Sequence, residues 1–89
     1  MVNQDFNKEI YIKKKWEEEN ILYYLHFLND YAVRQIEINH LGEYTFLSDD
    51  KPIKGDSILY DQKLSDLEID KLDYIVEEEF NKVWKLHND

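Results

Sequence analysis

The octapeptide Ile21-Leu22-Tyr23-Tyr24-Leu25-His26-Phe27-Leu28 decides the architecture. Side chains of an extended chain alternate between two faces. One face receives Ile21, Tyr23, Leu25 and Phe27, and the other Leu22, Tyr24 and Leu28. Apolar residues on both sides predict a central strand.

Working towards the N-terminus, residues 9–17 place Ile10, Ile12 and Trp16 on one face of a second strand. Lys14 interrupts that face, so its aliphatic stem must carry the ammonium out to the rim. Glu18-Glu19-Asn20 is a polar turn. On the other side, Asn29-Asp30 predicts a turn, because both side chains bond locally to backbone and tolerate left-handed dihedrals. Residues 31–39 form a third strand whose alternation slips: Tyr31 and Val33 share one parity, Ile36 and Ile38 the other. A bulge near Arg34-Gln35 would bring all four to the core. His40-Leu41-Gly42 is a hairpin loop with Gly42 suited to positive φ, and residues 43–48 are a fourth strand. Short connections throughout mean an antiparallel meander.

Residues 49–64, around Pro52 and Gly55, are a loop by composition. Beyond it the period changes. Ser65 and Glu68 have capping-box spacing, and Leu72, Val76, Phe80, Val83, Trp84 and His87 recur at helical intervals. One helix over 65–87 fits this pattern; so does a short helix near 65–71 followed by a final one over 76–87. Phe80, Val83 and Trp84 would cover the apolar face of the sheet. The expectation is therefore an α+β fold, a single domain over residues 1–89: a four-stranded antiparallel meander and a C-terminal helical segment packed on one face.

The chain has 20 Asp and Glu against 11 Lys and Arg, a formal charge of −9, yet 43% hydrophobic and 15% aromatic residues. That balance is too apolar for a disordered acidic tail. With no cysteine there is no disulfide, thiolate nucleophile or zinc-finger framework. No stretch has signal-peptide or membrane-span character, so a cytoplasmic location is expected. Excess negative charge argues against direct contact with nucleic acid or an anionic membrane, since phosphates call for clustered Lys and Arg.

Catalytic patterns are missing. There is no Gly-x-Ser-x-Gly around Ser57 or Ser65, no glycine-rich phosphate loop and no calcium-loop order. His26, His40 and His87 lack metal-ligand spacing. No metal, cofactor or enzymatic activity is expected. The carboxylates, by contrast, cluster. Asp61, Asp66, Glu68, Asp70, Asp73, Glu77, Glu78 and Glu79 face only Lys63 and Lys71, and on a helix Asp66, Asp70, Asp73 and Glu77 would form one stripe. Glu17-Glu18-Glu19 is a second knot and Asp49-Asp50 a third. Such a stripe is either a solvated face or a docking surface for a basic partner. Seven tyrosines are the other excess, and with one helix to cover one face of the sheet, some of them should point outward.

Tyr11-Ile12-Lys13-Lys14-Lys15-Trp16, Leu22-Tyr23, Tyr31-Ala32-Val33-Arg34-Gln35-Ile36-Glu37-Ile38, the Gly42–Phe46 hairpin and Glu78-Glu79-Phe80-Asn81-Lys82-Val83-Trp84 resemble a family of small bacterial proteins of unknown function. The resemblance implies an antiparallel sheet followed by a C-terminal helix. In size, charge and architecture the chain also resembles immunity proteins, which neutralise a cognate toxin. It departs from the family pattern at Lys14 and between Lys51 and Asp73. The functional expectation is a non-enzymatic inhibitor of a basic toxin, a nuclease by preference. Its contact residues would be Glu17, Glu18, Glu19, Asp66, Asp70, Asp73, Glu77 and Glu78, with Tyr23, Tyr24 and Tyr44 as anchors. The alternatives are a phage-encoded nucleic-acid mimic that inhibits a CRISPR or restriction nuclease, and a small ligand-binding module or enzyme. The last would use a pocket between sheet and helix around Tyr24, His26 and Tyr44. An unpaired edge strand leaves homodimerisation open.

Overall fold

The computed structural model describes residues 8–87. Four long strands follow one another, β1 (Glu9–Trp16), β2 (Ile21–Leu28), β3 (Tyr31–Ile38) and β4 (Tyr44–Ser48). They form the antiparallel meander, with β2 central as its two-sided apolarity demands. Asn29 and Asp30 both take positive φ, 51° and 80°, giving the β2–β3 hairpin the twist its strands need. Gly42 has φ 80°, and the Asn39 carboxamide oxygen accepts the N–H groups of Leu41 and Glu43, both at 2.9 Å.

The sheet has five strands rather than four. β5 (Ile53–Lys54) and β6 (Ser57–Ile58) make a separate small hairpin, while β7 (Tyr74–Ile75) returns to pair with Tyr11 and Ile12 on β1. The order is β4-β3-β2-β1-β7, so the edge of β1 is partly sealed and β4 is left outermost. Two residues are too few to show any period, which is why β7 was not legible beforehand.

The continuous helix over 65–87 is not formed; the structure lies closer to the split alternative, with a break before a final helix that falls inside 76–87. Only α1 (Glu77–Trp84) is α-helical, and Leu64–Asp66 and Lys71–Asp73 are single 3₁₀ turns. The Ser65–Glu68 capping box is not formed; instead the Asp70 N–H donates to Asp73 Oδ2 at 3.0 Å. Leu72, assigned to the apolar stripe, is 94% exposed. Tyr74-Ile75-Val76 is aromatic and β-branched, and strand pairing with β1 satisfies backbone groups that a helix would leave open at the sheet edge.

The bulge falls one residue earlier than expected. Ala32 faces Phe27 and Arg34 faces His26, leaving Val33 unpaired. It turns Ala32 into the core and leaves Tyr31 half exposed, whereas Ile36 is fully buried. Both faces of the sheet are covered, yet some tyrosines do remain exposed as expected: Tyr31, Tyr44 and Tyr74, at the start of β3 and on the outer strands β4 and β7 rather than across an open face. On one face, Tyr11, Tyr24 and Ile36 pack with Phe80, Val83 and Trp84 of α1. On the other, Ile12, Leu25, Phe27 and Ala32 pack beneath Leu59, Tyr60, Leu64, Leu67 and Ile69. The stretch read as a loop therefore ends in a strap that closes the second core.

Candidate functional site

Beneath the strap, on the face away from α1, lies a cleft of about 490 Å³. Its floor is set by the register: Tyr23 pairs with Glu37 and Leu25 with Gln35 across β2 and β3, and the bulge at Val33 is what turns Gln35 and Glu37 to this side. Trp16 at the end of β1 and Ile21 at the start of β2 form one wall. Asp56, Ser57, Ile58, Tyr60 and Leu67 form the other. Trp16 and Tyr23 meet edge to face, with ring centroids 5.7 Å apart.

Gln35 is 2% exposed and spends its whole carboxamide on fixing the cleft. Its Nε2 donates to Glu37 Oε2 at 2.7 Å and to the Ile58 carbonyl at 3.2 Å, and its Oε1 accepts the Tyr60 N–H at 2.8 Å. Glu37, 9% exposed, also accepts from the Ser57 hydroxyl at 2.8 Å. Each oxygen thus has one donor, and a carboxylate has acceptor capacity for about four. Among the described residues no basic side chain lies within 4 Å of Glu37. Tyr23 donates to Glu19 Oε1 at 3.3 Å; burial first, then the Glu37 and Glu19 charges, push its phenol up to about 12. Burial, then Asp66 and Asp61, raise Tyr60 as well.

The anticipated contact residues are divided by the fold. Glu17, Glu18 and Glu19 sit exposed in the β1–β2 turn, and of these only Glu19 lines the cleft. Asp66 and Asp70 belong to the strap side, and Asp73 pairs with Lys14 at 3.5 Å. Glu77 and Glu78 occupy the first turn of α1, on the opposite face. The single acidic stripe does not exist, because residues 66–76 are not one helix. Tyr23 is half-buried in the cleft. Tyr44 is exposed on β4, stacked on Phe46. Tyr24, 7% exposed, is a core residue and not an anchor. Sequence reasoning passed over Trp16, Gln35, Glu37 and Asp56. The available signal was Gln35 and Glu37 alternating with Ile36 and Ile38 along the second half of β3.

The anticipated pocket between sheet and helix is filled. His26 stacks on Tyr11 at 4.3 Å and lies under Phe80. Its Nδ1 accepts from Arg34 Nε at 2.9 Å, so its Nε2–H donates to Glu9 Oε1 at 2.8 Å. Arg34 lies over the Phe80 and Trp84 rings and donates to Asn81 Oδ1, tying α1 to the sheet. His40 is exposed and His87 packs on Phe46 and Trp84. Among the described residues no three His, Asp or Glu side chains converge to hold a metal ion. No helix among them is long and apolar enough to cross a membrane. Comparison with protein-family models, curated proteins and solved structures gives no match.

Proposed function

We propose that the protein is a non-enzymatic inhibitor that binds a cationic protein, as an immunity protein does when it neutralises a basic bacterial toxin. A nuclease fits best, because its phosphate-binding Lys and Arg would face the carboxylates, and occlusion of that surface would stop catalysis. The observation that supports this reading is the excess of unanswered carboxylates. Among the described residues, only Glu9, Asp73 and Glu79 have a basic side chain within 4 Å. The strap side, with Glu17-Glu18-Glu19 at the β1–β2 turn and Glu19, Glu37 and Asp56 in the cleft, is the contact surface we assign. A nucleic-acid mimic is less well supported, since it would need an unbroken row of carboxylates and these are split between two faces.

Immobilised protein incubated with lysate of its source cells is expected to retain a protein of high isoelectric point at low salt. That protein should elute as salt rises, and its association rate should fall steeply with ionic strength. Its nucleolytic or toxic activity should disappear at equimolar addition. Retention of no cationic protein at low salt would overturn the proposal.

A further inference from the structure

The cleft beneath the strap can be given a specific occupant. We infer that it receives a single arginine side chain of the cationic partner, its guanidinium on Glu37 and flanked by Trp16 and Tyr23. The inference rests on the reading of the protein as a binder of a basic protein, and it names the contact at the centre of that surface.

Three features of the cleft point to an organic cation. First, Glu37 is about nine-tenths buried in a cavity, with no basic side chain within 4 Å among the described residues and acceptor capacity left on both oxygens. A carboxylate withdrawn from water is stabilised most by a charged donor that reaches it. Second, the walls are aromatic: Trp16 is 36% exposed and Tyr23 half-buried, and ring faces attract a delocalised cation. Third, Glu19, Glu37 and Asp56 line the same cleft without converging into a metal shell. A planar guanidinium can bond a carboxylate with two parallel N–H groups while stacking on a ring, which an ammonium cannot do. The volume of about 490 Å³ is within the range of ordinary ligand sites. A larger trough of about 820 Å³ outside α1 is more open and mixes Glu78 and Glu79 with Lys82 and Lys85, so it offers a cation no such preference.

The probe is a capped Gly-Arg-Gly peptide, with lysine and citrulline counterparts, titrated into the intact protein and followed by two-dimensional amide and indole NMR. The Trp16 indole and the Tyr23, Glu37 and Ser57 amides should shift, while the Trp84 indole under α1 stays still. The citrulline peptide should leave all signals unmoved, and the lysine peptide should bind about tenfold more weakly. Glu37→Gln should weaken the arginine peptide by about tenfold or more, and Glu78→Gln, with the same loss of charge on the other face, by less than about twofold. If Glu37→Gln does not fold, the rim pair Glu19→Gln with Asp56→Asn, set against Glu77→Gln with Glu78→Gln on the other face, makes the comparison at equal loss of charge. Equal shifts at Trp16 and Trp84, equal binding of citrulline or lysine, or equal effects of the Glu37 and Glu78 variants would overturn the inference. Capture of the basic partner at full strength by Glu37→Gln would also overturn it while leaving the inhibitor reading intact. Peptide binding without capture of any cationic protein would instead remove that reading, and the partner-borne arginine with it.

Discussion

His26 shows how far a single residue's neighbours set its chemistry. Burial lowers its pKa from the ordinary 6.5, the bond to Glu9 opposes this, and the Arg34 charge lowers it further. The hydrogen bonds agree: Arg34 donates to Nδ1, so a proton placed there would face a guanidinium. Glu9 is held below its usual 4.5 by the bonds it accepts from His26 and then Tyr11, whose own phenol, chiefly by burial, is raised to about 12. Glu77 is the other charge acting on this group. The folded state favours neutral His26, so stability is full above pH 6.5 and declines as pH falls below it. Glu9 acts in the same direction, starting below pH 4.5. Urea midpoints measured from about pH 8 to pH 5 should therefore fall in the native protein and stay flatter in His26→Gln. Equal slopes would separate His26 from the pH response. Gln35 is the counterpart on the other face. Gln35→Ala strands the Tyr60 N–H and should cost about 1–3 kcal/mol in urea titration. Faster amide exchange over residues 57–60 should accompany that loss.

Among the elements, α1 depends most on its surroundings. Eight residues are too few to be stable alone in water, so the helix persists through Phe80, Val83 and Trp84 against the sheet. Phe80 is fully buried, with the Tyr11, His26 and Trp84 rings 5.5–6.0 Å away. Phe80→Ala is expected to cost about 3–5 kcal/mol in urea titration, whereas Glu78→Ala should be nearly neutral. Gly42→Ala, at φ 80°, should cost about 1–2 kcal/mol although no atom obstructs the added methyl. The four long strands and the Asn29-Asp30 and Gly42 turns could be read from residue order, because alternation and turn chemistry are local. The continuous alternative over 65–87 starts twelve residues too early, because Leu72 and Val76 match the period of the Phe80 stripe, whereas the final helix over 76–87 of the split alternative starts within one residue of α1. Nothing local reveals that the edge of β1 claims Tyr74 and Ile75 first.

At the scale of the whole molecule, a charge of −9 acts on stability as well as on partners. Self-repulsion destabilises a compact state and salt screens it, so Tm should rise as sodium chloride is added from low ionic strength. A flat or falling Tm would mean that the pairs Lys13–Glu79 and Lys14–Asp73 matter more than the net excess. The acidic character was evident from composition, but its distribution was not. Asp66 and Glu77 are eleven positions apart, and only the path of the chain puts one on the strap side and the other on the helix side. By itself the sequence determined the central strand, the meander, the inward face of α1 and the surplus of carboxylates, since each depends on periods or counts within a short stretch. The tertiary structure alone decided that β7 closes an edge, that a strap buries the second face, and that Trp16, Tyr23, Glu37 and Asp56 share one cleft. Those outcomes depend on which distant backbone groups need partners and which apolar faces need cover, and no local pattern records that.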